Sequence, residues 1–258
     1  MQIIQKNMED HQMAPEITSS AFTPLKKLKG GLAYRISTVG LSLQLLFSFA
    51  MIVSCVMQID FLREIQMESF QSEEELNQAA NANDTRHYGI QMIGFIIYVL
   101  TAIPILVWIY KAHQNVSDYK LQKTLTAGWA VGSFFVPFIN LVRPYQAMVE
   151  LYLCSSSPQE WHPEDASDFT KSVKISPKLT RLWWVAWTSC WFFGQALARW
   201  EPEDSVEWLQ YTYWDIGYYT LDILLIVLFL LLMKNIQGNQ KKNFLQNQSG
   251  PSEALMRH

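Results

Sequence analysis

The chain has 258 residues, a formal charge of −3, and hydrophobic residues at half of its positions. That length suits one or two soluble domains, but the apolar residues gather in blocks close to the ~20 needed to cross a ~30 Å hydrocarbon core. No basic patch is large or aromatic-interleaved enough to point to nucleic acid. The three cysteines, Cys55, Cys154 and Cys190, lack metal-ligand spacing and read as free thiols, not a disulfide frame.

Residues 1–23 are polar and patternless, which predicts disorder. The first apolar block comes too late for a cleavable signal peptide. The basic stretch "PLKKLKGGLAYR" follows and suits anionic headgroups. A first span is predicted from Ile36 to Ile59, then a polar, acidic loop over 60–87. The second span runs from Gly89 to Tyr110, and its Pro104 can kink the helix without ending it. "KAHQNVSDYKLQK" reads as a basic linker that continues the helix. The stretch 126–148, "TAGWAVGSFFVPFINLVRPYQAM", holds two prolines, an asparagine and an arginine within an apolar run. A polar insert occupies 154–176. Ser176-Pro177 predicts a helix start, with serine as N-cap and proline in the first turn. The third clear span is Leu182–Trp200. An acidic, aromatic segment leads to the last, about Ile216–Met233, and a polar tail follows. In domain terms this is an N-terminal cytosolic tail over 1–35, one transmembrane domain over 36–235 and a cytosolic tail over 236–258.

Charge bias decides whether 126–148 crosses. If it stays on one side, 17 of the 20 basic residues share that side, and only Arg63, Arg86 and Arg199 lie opposite. If it crosses, the bias vanishes. The expected fold class is therefore an all-α membrane protein with four transmembrane helices and a proline-broken re-entrant or interfacial segment on the cytosolic side. Both termini are then cytosolic. Trp108, Trp129, Trp183 and Trp184 mark the inner interface, and Trp200, Trp208 and Trp214 the outer one.

The runs "WIYKAHQN", "GWAVGSFFVPFINLVRPYQAMVEL" and the "WW" at Trp183–Trp184 resemble the bacterial polytopic membrane family numbered 4328 among the domains of unknown function. The likeness extends over roughly residues 36–235. It implies a multi-pass protein of the bacterial inner membrane and assigns no activity, cofactor or metal.

Polar groups near the cytosolic face are His113, Asn115, Asn140, Arg143, Tyr145, Gln146 and Glu150. They either converge on an anionic headgroup or ligand held by Arg143, or serve the fold, with the asparagines capping backbone and Arg143 snorkelling to phosphates. Asp222, about two turns into the last predicted span, is an intramembrane carboxylate and points to an ion or proton pathway or to a packing hydrogen bond. Its candidate partners are Arg199, Gln44, Gln91 and Gln195. Trp183, Trp187 and Trp191 recur every four residues, a stripe that suits packing or lipid contact. No HExxH, GxSxG, phosphate loop or CxxC is present, and Ser133 beside His113 is a weak nucleophile candidate, so no enzyme is expected. Asn83 opens a glycosylation sequon on the outer loop. Two readings follow: a lipid-contacting, interaction or regulatory membrane protein with a homo-oligomeric or membrane-protein partner, or a small-solute or ion pathway formed by an oligomer.

Overall fold

The structure is a computed structural model that describes residues 27–118, 125–156 and 169–248. The tail over 1–23, Lys120 and Lys123 of the linker, most of the polar insert and the last residues of the C-terminal tail lie outside the described residues. The described chain is helical: α1 (Gly31–Gln66), α2 (Glu73–Asp118), α3 (Ala127–Gly132), α4 (Arg143–Ser156), α5 (Phe169–Ile175), α6 (Lys178–Leu197) and α7 (Ser205–Gln248). Two single 3-10 turns, Ser133–Phe135 and Ile139–Leu141, join α3 to α4.

Three helices, α1, α2 and α7, are long and apolar enough to cross a membrane. With 36, 46 and 44 residues they run about 54, 69 and 66 Å at 1.5 Å per residue, well beyond a ~30 Å core. The polar stretches expected as loops are their extensions. The predicted loop 60–87 shrinks to the connection 67–72. Ser72 starts α2, its hydroxyl accepting the Glu75 N–H at 3.2 Å while the Glu75 carboxylate accepts the Gln71 N–H at 2.9 Å. That is a variant of the capping box with the return bond one residue earlier, and Glu73–Glu75 are placed favourably at the positive helix end. Asp204 and Glu207 repeat the device at α7: Asp204 accepts the N–H groups of Val206 and Glu207 at 2.9 and 2.8 Å, and Glu207 accepts that of Glu203. The last helix therefore begins eleven residues before the predicted Ile216.

Pro104 sits inside α2 without ending it. The predicted start of α6 is corrected in detail: Pro177 takes the cap position in extended conformation, and Ser176 lends its hydroxyl elsewhere. With 20 residues, α6 is the shortest of the four long helices.

The long helices pack as a row, α2 on α1, α1 on α7 and α7 on α6. One end gathers Lys29, the end of α2, the start of α6 and the last turns of α7; we call it the tail end. The other holds the two short connections, with the Arg63 guanidinium donating to Tyr213 Oη at 2.9 Å and Trp200 packed edge-on to Tyr211. The buried apolar core concentrates toward the tail end, where Trp108, Ile109, Val116, Met148, Leu151 and Ile236 meet. There Gly30 precedes α1 with φ +89°, a left-handed conformation, and a Cβ would lie 3.0 Å from Lys111 Cβ. Farther along, apolar side chains such as Leu43, Leu46, Phe49, Ile93 and Leu100 face outward.

The proline-rich stretch folds at the tail end as helix, turn and helix. Thr126 caps α3, accepting the Trp129 N–H at 3.2 Å. The chain then turns at Val136–Phe138, where Phe138 has φ +63° and is 85% exposed.

Two tryptophans expected at the interface belong to the core: Trp108 donates to Gln237 Oε1 at 3.0 Å, and Trp183 stacks on Phe229 at 5.5 Å. The sequon asparagine, Asn83, lies inside α2, buried, and accepts from Arg86 at 2.6 Å.

Candidate functional site

The ends of the helix row, α2 and α6, face each other across a cavity of about 690 Å³, within the range of small-molecule pockets. Leu41, Gln44 and Phe47 of α1 and Tyr218, Tyr219 and Asp222 of α7 form its floor. Phe134, Phe135 and Asn140 close it on the tail side. The tryptophan stripe of α6, Trp183, Trp187 and Trp191, is one wall. Trp183 stacks toward Trp187 at 6.4 Å, and Phe134 meets Trp187 edge-on at 6.4 Å. The stripe that the sequence assigns to packing thus both packs and lines a space.

Asp222 lies on the α7 side of the floor. Its Oδ2 accepts from Ser48 Oγ at 2.6 Å, across the α1–α7 interface. Ser48 is fully buried, and its hydroxyl also lies 3.0 Å from the Gln44 carbonyl. The expected partner Arg199 does not reach Asp222. It sits exposed just past α6, beside Trp200, and Trp200 is level with Tyr211. Eleven residues of α7 separate Tyr211 from Asp222, about 16 Å along the axis. Gln44, Gln91 and Asn140 line the cavity with Asp222. Gln91 also meets His87 Nε2 at 3.1 Å. Gln195 is exposed on α6 and is not among the lining residues.

At the tail end, several of the predicted polar residues join one element to another. Asn115 is a structural hub: its Oδ1 accepts the Lys29 N–H at 3.0 Å, and its Nδ2 donates to the Lys29 carbonyl at 3.1 Å and to Gln240 Oε1 at 2.9 Å. Gln240 in turn donates to the Ala112 carbonyl and to Ser155 Oγ, both at 3.1 Å. Tyr145 is buried against Trp184 and donates to Ser176 Oγ at 2.6 Å. Burial raises its pKa from the usual phenol value, opposed by the Ser176 hydrogen bond and the charge of Arg181. His113 and Glu150 are fully buried. Arg143 opens α4 and donates to Gln146 Oε1 at 3.0 Å. It does not line the cavity, which reaches Asn140 and stops there. Ser133, weighed above as a nucleophile, is buried and donates to the Ala130 carbonyl at 3.3 Å.

Sequence reasoning misses Ser48, Gln240 and Ser155 altogether. It also misses a polar ladder in the half of the bundle away from the tail end. There Arg86 binds the Ser54 carbonyl and Asn83, Ser54 Oγ meets His87 Nδ1 at 3.2 Å, and Gln58 donates to Thr212 at 3.0 Å. The Cys55 thiol donates to Asp215 at 3.5 Å. Small hydroxyls within apolar helices carry no signal of which neighbour they meet.

No curated protein and no solved structure matches the chain. A family described as Domain of unknown function (DUF4328) matches residues 72–238. The match begins with α2, later than the expected residue 36, and ends close to the expected 235. It spans well over half of the sequence and includes most of the cavity wall, from Gln91 to Phe229. The chain belongs to the DUF4328 family.

Proposed function

We propose that this is a non-enzymatic, lipid-contacting membrane protein whose α2–α6 cavity holds an amphipathic molecule taken from the bilayer. The observation that carries this reading is a large, mostly apolar and aromatic cavity with a few convergent polar groups, Asp222, Gln44 and Asn140, set among helices of membrane-spanning length. In this reading α6 is the fourth span, and 126–148 is re-entrant from the cytosolic side. The exposed Phe135 and Phe138 at its turn then enter lipid, while α4 packs against the irregular backbone and α2 against α3. Both termini are cytosolic, in the inner membrane of a bacterium. Basic residues of the tail end, Arg143 among them, meet anionic headgroups. Partner binding through the insert, or to a second copy, belongs to the same reading. A small-solute or ion pathway is the second reading, favoured by Asp222 and Asn140 sharing one cavity. Because Arg143 lies off that cavity, it is the weaker of the two.

Two experiments test this. First, in intact cells, a cysteine placed at exposed Glu74 is labelled by an impermeant maleimide and one at exposed Lys241 is not; the reverse pattern sinks the topology. The three native cysteines are buried and give little background. Second, protein extracted in native nanodiscs carries a co-purifying amphiphile detectable by mass spectrometry. Ala102→Trp, which fills the cavity from α2, removes most of it. An unchanged set of molecules would overturn the binding role.

A further inference from the structure

We infer that the cavity selects lipophilic cations, molecules that carry a quaternary or delocalised positive charge in an apolar frame; this rests on reading the cavity as a binding site. Among the described residues, Asp222 is the only charged one on the cavity lining. An ionised carboxylate in apolar surroundings is costly unless a cation or several donors offset it. The protein supplies little of either. Ser48 has one hydroxyl proton, shared between Asp222 at 2.6 Å and the Gln44 carbonyl at 3.0 Å. Arg199, the basic residue expected to pair with it, stays at the end of α6. The opposing α6 wall offers Cys190 and tryptophans, and α2 offers Tyr98, Thr101 and Gln91, none of them cationic. Burial without a counter-charge favours the neutral carboxyl, and a cation that enters the space is what makes the ionised form favourable.

The rest of the wall suits a soft cation. Tyr218 and Tyr219 lie one turn before Asp222 on the same helix, with Phe47 edge-on to Tyr219 at 6.1 Å. Trp187 and Trp191 face them from α6. Aromatic faces attract cations electrostatically, most strongly when both are out of water. A strongly hydrated ammonium would lose its water shell here, whereas an aryl- or alkyl-shielded cation has little to lose. An anion would meet the Asp222 charge with no basic residue on the wall to offset it. A neutral acyl chain would fill the apolar part and gain no electrostatic attraction from Asp222.

The test uses the full chain in phosphatidylcholine nanodiscs at fixed pH. Three probes of related shape are titrated, with tryptophan emission and calorimetry as readouts: tetraphenylphosphonium, tetraphenylborate and uncharged triphenylphosphine oxide. Tetraphenylphosphonium is expected to bind saturably and at least about tenfold more tightly than either of the others. Asp222→Asn is expected to raise its Kd at least about tenfold, while Asp222→Glu restores most of the affinity. If Asp222→Asn does not yield folded protein, the probe comparison on the wild type stands alone, with Trp191→Leu as the second variant, expected to weaken the cation about threefold or more. Tetraphenylborate or the neutral probe binding as tightly as the cation overturns cation selection and leaves an apolar binding cavity. Unchanged cation affinity in folded Asp222→Asn does the same. Saturable binding of none of the three overturns both the selection and the cavity's binding role.

Discussion

Asn115→Leu is expected to destabilise the protein by about 3 kcal/mol, because it removes three hydrogen bonds that a buried amide makes to two separate segments. For a domain of this size that lowers the melting temperature by roughly 6–12 °C. The wild-type side chain is fully buried and uses its amide like a strand edge, accepting from and donating to the backbone of Lys29. Its second donor goes to Gln240 of α7, and Gln240 reaches Ser155 of α4. Asn243 adds a 2.8 Å bond to the Ser155 carbonyl. Leucine keeps the branching of asparagine, but its methyl groups are bulkier, so a smaller steric cost adds to the polar one. The Lys29 N–H, the Lys29 carbonyl and Gln240 Oε1 lose the Asn115 amide, in a place water reaches poorly. Because the groups act as one network, Gln240→Leu and Asn115→Leu are expected to combine less than additively, with a coupling of about 1 kcal/mol or more. Thermal unfolding of the four proteins in one detergent measures this. Strict additivity, or a melting temperature for Asn115→Leu within about 1 °C of wild type, would show that the hub is not holding the tail end together.

This hub also shows what was legible in the chain. The apolar blocks are visible as runs long enough to span, and α1, α2 and α7 contain three of them. The helical continuations were not legible in the same way, since a helix outside the membrane that is polar on every side has no apolar period to read. Two local signals were present, Ser72 with Glu75 and Asp204 with Glu207, and both are variants of the capping box that acidic composition disguises as loop. Gln240 lay in what reads as a polar tail, yet it is fully buried, because α4 covers that face of α7. Asp222 stands out as a carboxylate inside an apolar run. Its partner does not, since Ser48 is one of several serines on α1, and which one meets Asp222 depends on the register between α1 and α7. That register is set by packing 174 positions apart in sequence. The cavity itself is a property of how α2 and α6 are spaced, and the tryptophan stripe alone did not distinguish wall from core.

Gly94→Ala is expected to destabilise the bundle by about 1–3 kcal/mol, the usual cost of overpacking, although alanine is the better helix former. A Cβ at Gly94 would overlap the ring of Phe47, which lies directly on the α2 backbone at this position. To make room, the Phe47 ring has to give up its edge-on contact with Tyr219 of α7 and turn into the cavity it lines. The glycine therefore allows α1 and α2 to approach closely, as small residues do where helices pack in membranes. Gly89, five residues earlier on the same helix, has nothing within 4 Å of its would-be Cβ. Gly89→Ala is accordingly expected to be neutral or to stabilise by up to about 1 kcal/mol, the helix-propensity gain. The decisive comparison is made in a Phe47→Ala background. With the ring gone, the space at Gly94 is open, and Gly94→Ala is expected to change sign, becoming neutral or slightly stabilising. Melting temperatures of Gly94→Ala, Phe47→Ala and the double variant test this directly. If Gly94→Ala loses the same stability whether or not the ring is present, the glycine is needed for some reason other than Phe47. A sign reversal would tie the α1–α2 spacing, and with it the shape of the cavity that both residues line, to this one contact.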